Sequence, residues 1–362
     1  MIRTNRYDYA YSTGRISVLK TKLMDYNKMS RLFDACTIDE FARILQDSGY
    51  VISDSIEDSI KNSLIDSYEQ VAIMIPNPEY VDALMLVNDF HNMKVIIKTF
   101  LGNALQRENE SVSHEFIETS DNDEDIMDIT QNDKKIVTFK DIQPLLAYPS
   151  ALDPKILFDA IRDRNLKILD IFYRDTINMA LKRYKTTYEP GEIDLVVDRR
   201  YFTKLHDYAK VLDNDFFTAY CVFRSDSTNL GTLLRTRLSG SGKSYLSRAL
   251  VTGGIVPEKT LEDLYDAHDE EIIKAFRNTS CEKLSESVSG FGKENSVAQF
   301  GKQIDMTILK MMESAKYFLF GPEQLISYLI VKEIQTRNIN IALTCIRNRV
   351  PMSIAHDLMR ES

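Results

Sequence analysis

The sequence predicts an all-α protein built from three similar helical hairpins, and three observations carry that reading. The 362 residues include only 13 glycines and 9 prolines, against about 25 and about 18 at average usage. That is too few turn-formers for a sandwich, barrel or propeller. Apolar residues recur at helical spacing over long stretches bounded by start and stop residues. One arrangement of helix start, acid or amide, asparagine and stop occurs three times, as internal repeats do. Hydrophobic residues make up 44% and charged residues 27% of the chain. This excludes disorder of the whole chain, and the length allows two or three compact units.

The elements follow in chain order. Arg3, Arg6, Arg15, Lys20 and Lys22 make the first helix basic, the mark of a solvated face more often than of a binding site. Thr37-Ile38-Asp39-Glu40 fits a capping box. It leads into Phe41, Ile44 and Leu45, with Gly49 as the stop. A helix over 59–75 precedes the first repeat. Asn77-Pro78-Glu79 opens that repeat as N-cap, first-turn proline and first-turn acid. Val81, Leu84, Met85 and Val95 form its stripe, with Gly102 as the predicted stop.

Ten carboxylates and no base lie between Glu108 and Asp133, while the rest of the chain holds 44 acids against 45 bases. The net charge of -9 therefore belongs to one segment, and 108–133 reads as a mobile, solvated loop. Asp121, Asp123 and Asp125 have the spacing of an EF-hand loop. Ile126 stands where that loop needs glycine, and Asn132 where it needs a bidentate glutamate.

The second repeat follows a helix over 201–212. It starts at Asp213-Asn214-Asp215, carries Phe216, Tyr220, Phe223, Leu230 and Leu234, and stops at Gly240. The third follows a helix over 306–320. It starts at Gly321-Pro322-Glu323, runs through Leu325, Leu329, Ile334, Ile341 and Cys345, and stops near Asn348. Each repeat places an acid or amide three residues before an asparagine: Asp89 and Asn92, Asp226 and Asn229, Gln335 and Asn338. Residues three apart share a helix face. These pairs read either as polar clamps between helices or as stripe-edge positions touching water. Lys94, Lys98 and Arg235 join them as candidate clamps. The hairpins divide the chain into lobes at 1–146, 147–256 and 257–362.

Motifs for chemistry are missing. Gly240-Ser241-Gly242-Lys243-Ser244 invites a phosphate-loop reading, but Arg237 stands where the first glycine belongs and a helix precedes it instead of a strand. It reads as a helix stop and turn. The histidines are scattered, and no H-E-x-x-H, G-x-S-x-G or C-x-x-C occurs. No catalytic residue, metal ligand or cofactor is expected. Cys36, Cys221, Cys281 and Cys345 read as buried free thiols of a reducing compartment. The basic run Arg235, Arg237, Lys243 and Arg248 carries too little charge for a nucleic-acid site. Arg237, Lys243 and Arg248 are candidate contacts to a protein or membrane surface. Without an apolar leader or a membrane-length run, the chain is expected in the cytoplasm.

Tyr9-Ala10-Tyr11 with Arg15, Asp39-Glu40-Phe41 through Tyr50, Asp89-Phe90-His91-Asn92-Met93-Lys94 with Lys98, and Gly321-Pro322-Glu323 through Arg337-Asn338-Ile339 occur in one order along the chain. In these features the sequence resembles the C subunit of archaeal and bacterial V/A-type ATPases, the relative of the d subunit of eukaryotic vacuolar ATPases. It departs from the pattern at Gly231, Gln335 and Asn340. The resemblance implies a non-catalytic, three-lobed funnel with pseudo-threefold symmetry. Such a protein sits peripherally on a membrane proteolipid ring and receives the end of the central axle, coupling ATP turnover to proton or sodium transport. The alternative is a helical-repeat scaffold outside that family. Deleting residues 108–133 is expected to leave the calorimetric melting temperature nearly unchanged, because a solvated loop contributes few contacts.

Overall fold

The computed structural model describes residues 5–53, 55–110, 137–293 and 295–360, and among them every regular element is a helix. The structure is all-α, as the sequence predicts. The chain forms two compact units, Met1–Ala83 with His206–Ser362, and Leu84–Leu205.

The first unit is organised by the helix Glu323–Arg347. Sixteen of its 25 residues are buried, so it is surrounded and not laid against one neighbour. Its most extensive partner is Ile56–Met74, and Ala10–Lys20, Tyr26–Asp34, Ser296–Glu313 and Asp215–Ser239 also pack on it. Its last turns join Tyr26–Asp34, Ile38–Asp47 and Met352–Leu358 in a core containing Leu32, Phe41, Leu45, Ile339 and Ala355. The second unit holds Pro154–Arg162, Ile171–Thr187 and most of the long helices Glu79–Glu110 and Pro190–Leu212. Phe90 lies in its core, with the rings of Phe172, Tyr173 and Tyr201 at 6.4, 5.7 and 5.9 Å between centroids.

Local chemistry sets most helix ends. Thr37 accepts the N–H of Glu40, while the Glu40 carboxylate accepts the N–H of Cys36 at 3.0 Å. The capping pair is thus shifted by one residue from the simple box. Asn214 caps Asp215–Ser239, and Gly240 closes it in the left-handed region at φ 66°. Gly102 does not stop its helix, which continues to Glu110. A glycine stop works through a positive φ, and Gly102 is not among the positive-φ glycines, whereas Gly49 is, at 90°. The helix takes in residues 108–110 of the acidic segment; residues 111–133 lie outside the described residues. The segments preceding the second and third repeats begin earlier than predicted, at Pro190 and Ser296. Cys36 is exposed, correcting the expectation of four buried thiols; Cys221, Cys281 and Cys345 are buried. Cys36 lies between the helices Tyr26–Asp34 and Ile38–Asp47, where no packed face covers it.

A buried cation lies within the first unit. Lys332 is 7% exposed, its ammonium donates to the Tyr50 hydroxyl at 3.0 Å, and it sits 4.5 Å from that ring's centroid. Burial lowers its pKa to about 8 from 10.5, with Asp66 opposing the shift. A base with a depressed folded pKa loses its proton more readily when folded, so stability rises with pH through that window. Replacing Lys332 with Met keeps the stem and removes the charge. The Lys332→Met protein is expected to resist urea better at pH 7 and to lose the rise in stability from about pH 8 upward. Denaturation curves across this range check both outcomes.

Candidate functional site

The three repeated asparagines make one and the same contact. Each lies on a long helix and pairs its side-chain amide with both main-chain groups of a single downstream residue. Asn92 accepts the N–H of Ala147 at 2.7 Å and donates to its carbonyl at 3.0 Å. Asn229 does so with Val251 at 2.8 and 2.9 Å. Asn338 does so with Arg360 at 2.9 and 2.7 Å. All three are at most 3% exposed. The downstream residue follows by 55 positions in the first copy and by 22 in the other two. The longer interval contains the acidic segment.

The residue three positions earlier extends the contact in two copies. Asp89 accepts the N–H of Leu152 at 3.1 Å and the Tyr173 hydroxyl at 2.8 Å. Asp226 accepts the N–H groups of Ile255 and Val256 at 3.1 and 3.3 Å. Burial raises the pKa of Asp226, and the two N–H donors oppose that rise. Cys281, itself raised by burial, feels the Asp226 charge as a smaller further push. Gln335 is 6% exposed, and its amide has no hydrogen-bond partner among the described residues.

The second copy depends on a glycine pair that sequence reasoning missed. A Cβ at Gly254 would overlap Asp226 Oδ1, and one at Gly253, held at φ 93°, would overlap the His206 ring. Adjacent glycines immediately after a helix-rich stretch were the available signal for close backbone approach. His206 hydrogen-bonds through Nε2 with Ser225 at 2.8 Å, and burial lowers its pKa. Tyr173 and Leu152 carried no signal, since nothing in a sequence pairs a tyrosine with an aspartate 84 positions away.

The other singled-out residues are placed as follows. Lys94 pairs with Asp198 at 2.7 Å and Lys98 with Asp194 at 2.5 Å, tying Glu79–Glu110 to Pro190–Leu212. All four are partly exposed, so each pair contributes under about 1 kcal/mol. Arg235 folds back along its own helix, 3.5 Å from Thr232 Oγ1. A side chain at Gly231 would meet Phe300 at 3.0 Å and Arg235 at 3.2 Å. In the second copy a side chain at the position where the first carries lysine would press on both neighbours. Arg237 pairs with Asp269 at 3.6 Å and Lys243 with Asp263 at 3.0 Å, while Arg248 donates to Ser244. The Gly242 N–H is bonded to the Tyr265 hydroxyl at 3.1 Å, and a helix, not a strand, precedes this loop. Among the described residues, no group of three or more His, Cys, Asp or Glu is placed to hold a metal ion. The contacts join each helix to a later main-chain segment.

The whole chain has relatives among known proteins. The family model described as ATP synthase (C/AC39) subunit matches residues 12–358. The C subunit of the A-type ATP synthase of Methanocaldococcus jannaschii is 22% identical over 354 residues, covering 91% of this chain and 81% of that protein. The C subunit of the A-type ATP synthase of Pyrococcus abyssi is 22% identical over 360 residues, covering 94% of this chain and 87% of that protein.

Removing a clamping amide strands a buried N–H and a buried carbonyl together. Asn92→Ala and Asn229→Ala are each expected to cost about 2–4 kcal/mol in urea unfolding. Asn338→Ala should cost less, because Arg360 also remains tied through its guanidinium to Asp305 at 2.9 Å. Equal losses at all three positions would show that this second tether carries no weight.

Proposed function

The chain belongs to the ATP synthase (C/AC39) subunit family, and from that premise we propose that it is a non-catalytic rotor component of an A/V-type ATP synthase. In this reading it joins the central axle to the membrane proteolipid ring and transmits rotation between them. The observation that carries the proposal is the match over nearly the whole length. The three hairpins closed by the same asparagine contact support a three-lobed, pseudo-threefold socket with lobes at 1–146, 147–256 and 257–362.

Physical requirements of such a part agree with what the chain offers. Torque transmission needs stiff elements, and the long hairpin helices have 32, 25 and 25 residues. At 1.5 Å per residue they extend roughly 38–48 Å. No helix of the described residues is long and apolar enough to cross a membrane, so the chain would attach to the ring peripherally. The repeated asparagines and the aspartates beside two of them hold the chain's own main chain, which suits a mechanical role. Family membership leaves no place for the alternative of a scaffold outside it.

The test is reconstitution. A complex assembled without this chain is expected to hydrolyse ATP in its soluble head while pumping few or no ions. Full pumping efficiency without the chain would overturn the adaptor role. The isolated chain is expected to show neither ATPase activity nor Mg-ATP binding by calorimetry; saturable binding abolished by Lys243→Ala would contradict the non-catalytic reading.

A further inference from the structure

The helix Ala10–Lys20 carries large apolar side chains on its exposed side as well as its buried one. Its inner face is explained: Ser12 and Ile16 are buried, and the helix packs on Glu323–Arg347 and Ile56–Met74. Its outer face has the wrong composition for water. Tyr7, just before the helix, is 73% exposed, Tyr11 67% and Val18 61%. A solvent face normally carries charged and polar side chains, and adjoining exposed aromatics mark an interaction surface. Tyr7 also reaches the neighbouring loop, with its ring 6.0 Å from that of Phe320.

Gly14 is a second, independent observation. It lies in mid-helix and is exposed, and a Cβ added there would meet nothing within 4 Å. Its φ is not positive. Among the described residues nothing calls for glycine there, and glycine is a poorer helix former than alanine. With Ala10 one turn before and Val18 one turn after, it forms a shallow row beside Tyr11 and Arg15. Such a row admits a second helix at short range.

The charge is one-sided. No acid occurs from Tyr9 to Met24, in a chain of net charge -9. Arg15 leans over Tyr11, its guanidinium 5.9 Å from the ring centroid and 3.2 Å from the hydroxyl. Neither Arg15 nor Lys22 has an ion pair with any described residue. Asp8, the acid before this stretch, accepts the Asn5 N–H at 2.8 Å.

We propose that the face formed by Tyr7, Tyr11, Gly14, Arg15 and Val18 seats an amphipathic helix of a partner protein, one that sets carboxylates against Arg15 and Lys22. The proposal rests on the reading of this chain as part of a rotary complex, and it identifies where and with what chemistry one neighbour docks. A lipid surface is disfavoured, since membrane attraction of this kind needs clusters of roughly 4–8 bases, and among the described residues Arg6 is engaged by Glu323 and Lys20 by Gln324, which leaves Arg15 and Lys22.

The test places a photo-reactive benzoylphenylalanine at Tyr11 in the full chain and assembles it with the axle subunits and proteolipid ring. The expected product is a cross-link to one partner, on a helical peptide containing Asp or Glu. A chain present in the complex but cross-linked to no partner, or only to itself, overturns the inference and leaves the rotor reading standing. A chain that never enters the complex overturns both. The second variant is Gly14→Leu. It should melt no lower than the parent, because the position is open and leucine favours helix, yet enter the complex about tenfold more weakly. Undiminished entry overturns the proposal. Co-sedimentation of the isolated chain with phosphatidylglycerol vesicles, lost in Arg15→Ala, would overturn it in favour of a lipid surface.

Discussion

A peptide segment that leaves a helix and crosses a buried face brings an N–H and a carbonyl that must find partners. On each of three long helices of this protein one asparagine side chain satisfies both groups of one residue. The primary amide is suited to this, since it offers a donor and an acceptor side by side. Its short stem also fixes how closely the segment approaches. Asn92, Asn229 and Asn338 consequently sit at similar depth, at 0%, 1% and 3% exposure, although the segments they hold differ in length and sequence. Alanine could occupy the same helix, but it would leave two main-chain groups stranded.

The neighbouring contacts are variations allowed around that pair. In the first copy Asp89 adds Tyr173 as a donor, using a hydroxyl from another helix. In the second, Asp226 relies on main-chain N–H groups alone, and the chain comes so near that Gly253 and Gly254 are required. In the third, the Arg360 guanidinium and Arg337 both engage the buried Asp305, adding an ionic tether to the amide pair. Gly231 belongs to the same logic. Its missing side chain is replaced by Phe300 and Arg235 from the surroundings.

This economy bears on function. A catalytic centre exposes strained or unpaired groups to a substrate. Here the repeated asparagines and the two aspartates bond the protein's own main chain, and Lys243 is tied to Asp263. What remains at the surface includes long helices and an outward helix face with exposed aromatics and a glycine. The proposed rotor role would call for shape, stiffness and docking surfaces more than chemistry.

The helical class and the long helices that carry the three asparagines were legible because their signals are local. Apolar spacing, Thr37, Asn214 and Gly240 act within a few residues of the ends they set, and the same Asx–x–x–Asn register returns in two copies. The helix running through Gly102 was not legible, because glycine permits a stop without enforcing one, and whether φ turns positive depends on where the chain must go next. The asparagines stood out in the sequence, but their partners did not. Ala147, Val251 and Arg360 contribute only main-chain atoms, which look alike in every residue, and Asn92 reaches across 55 positions. Sequence by itself marked the repeated asparagines and aspartates as polar positions within apolar stripes. Only the tertiary structure decided which segments they would hold, because a backbone group acquires an address only when packing brings it beside a side chain.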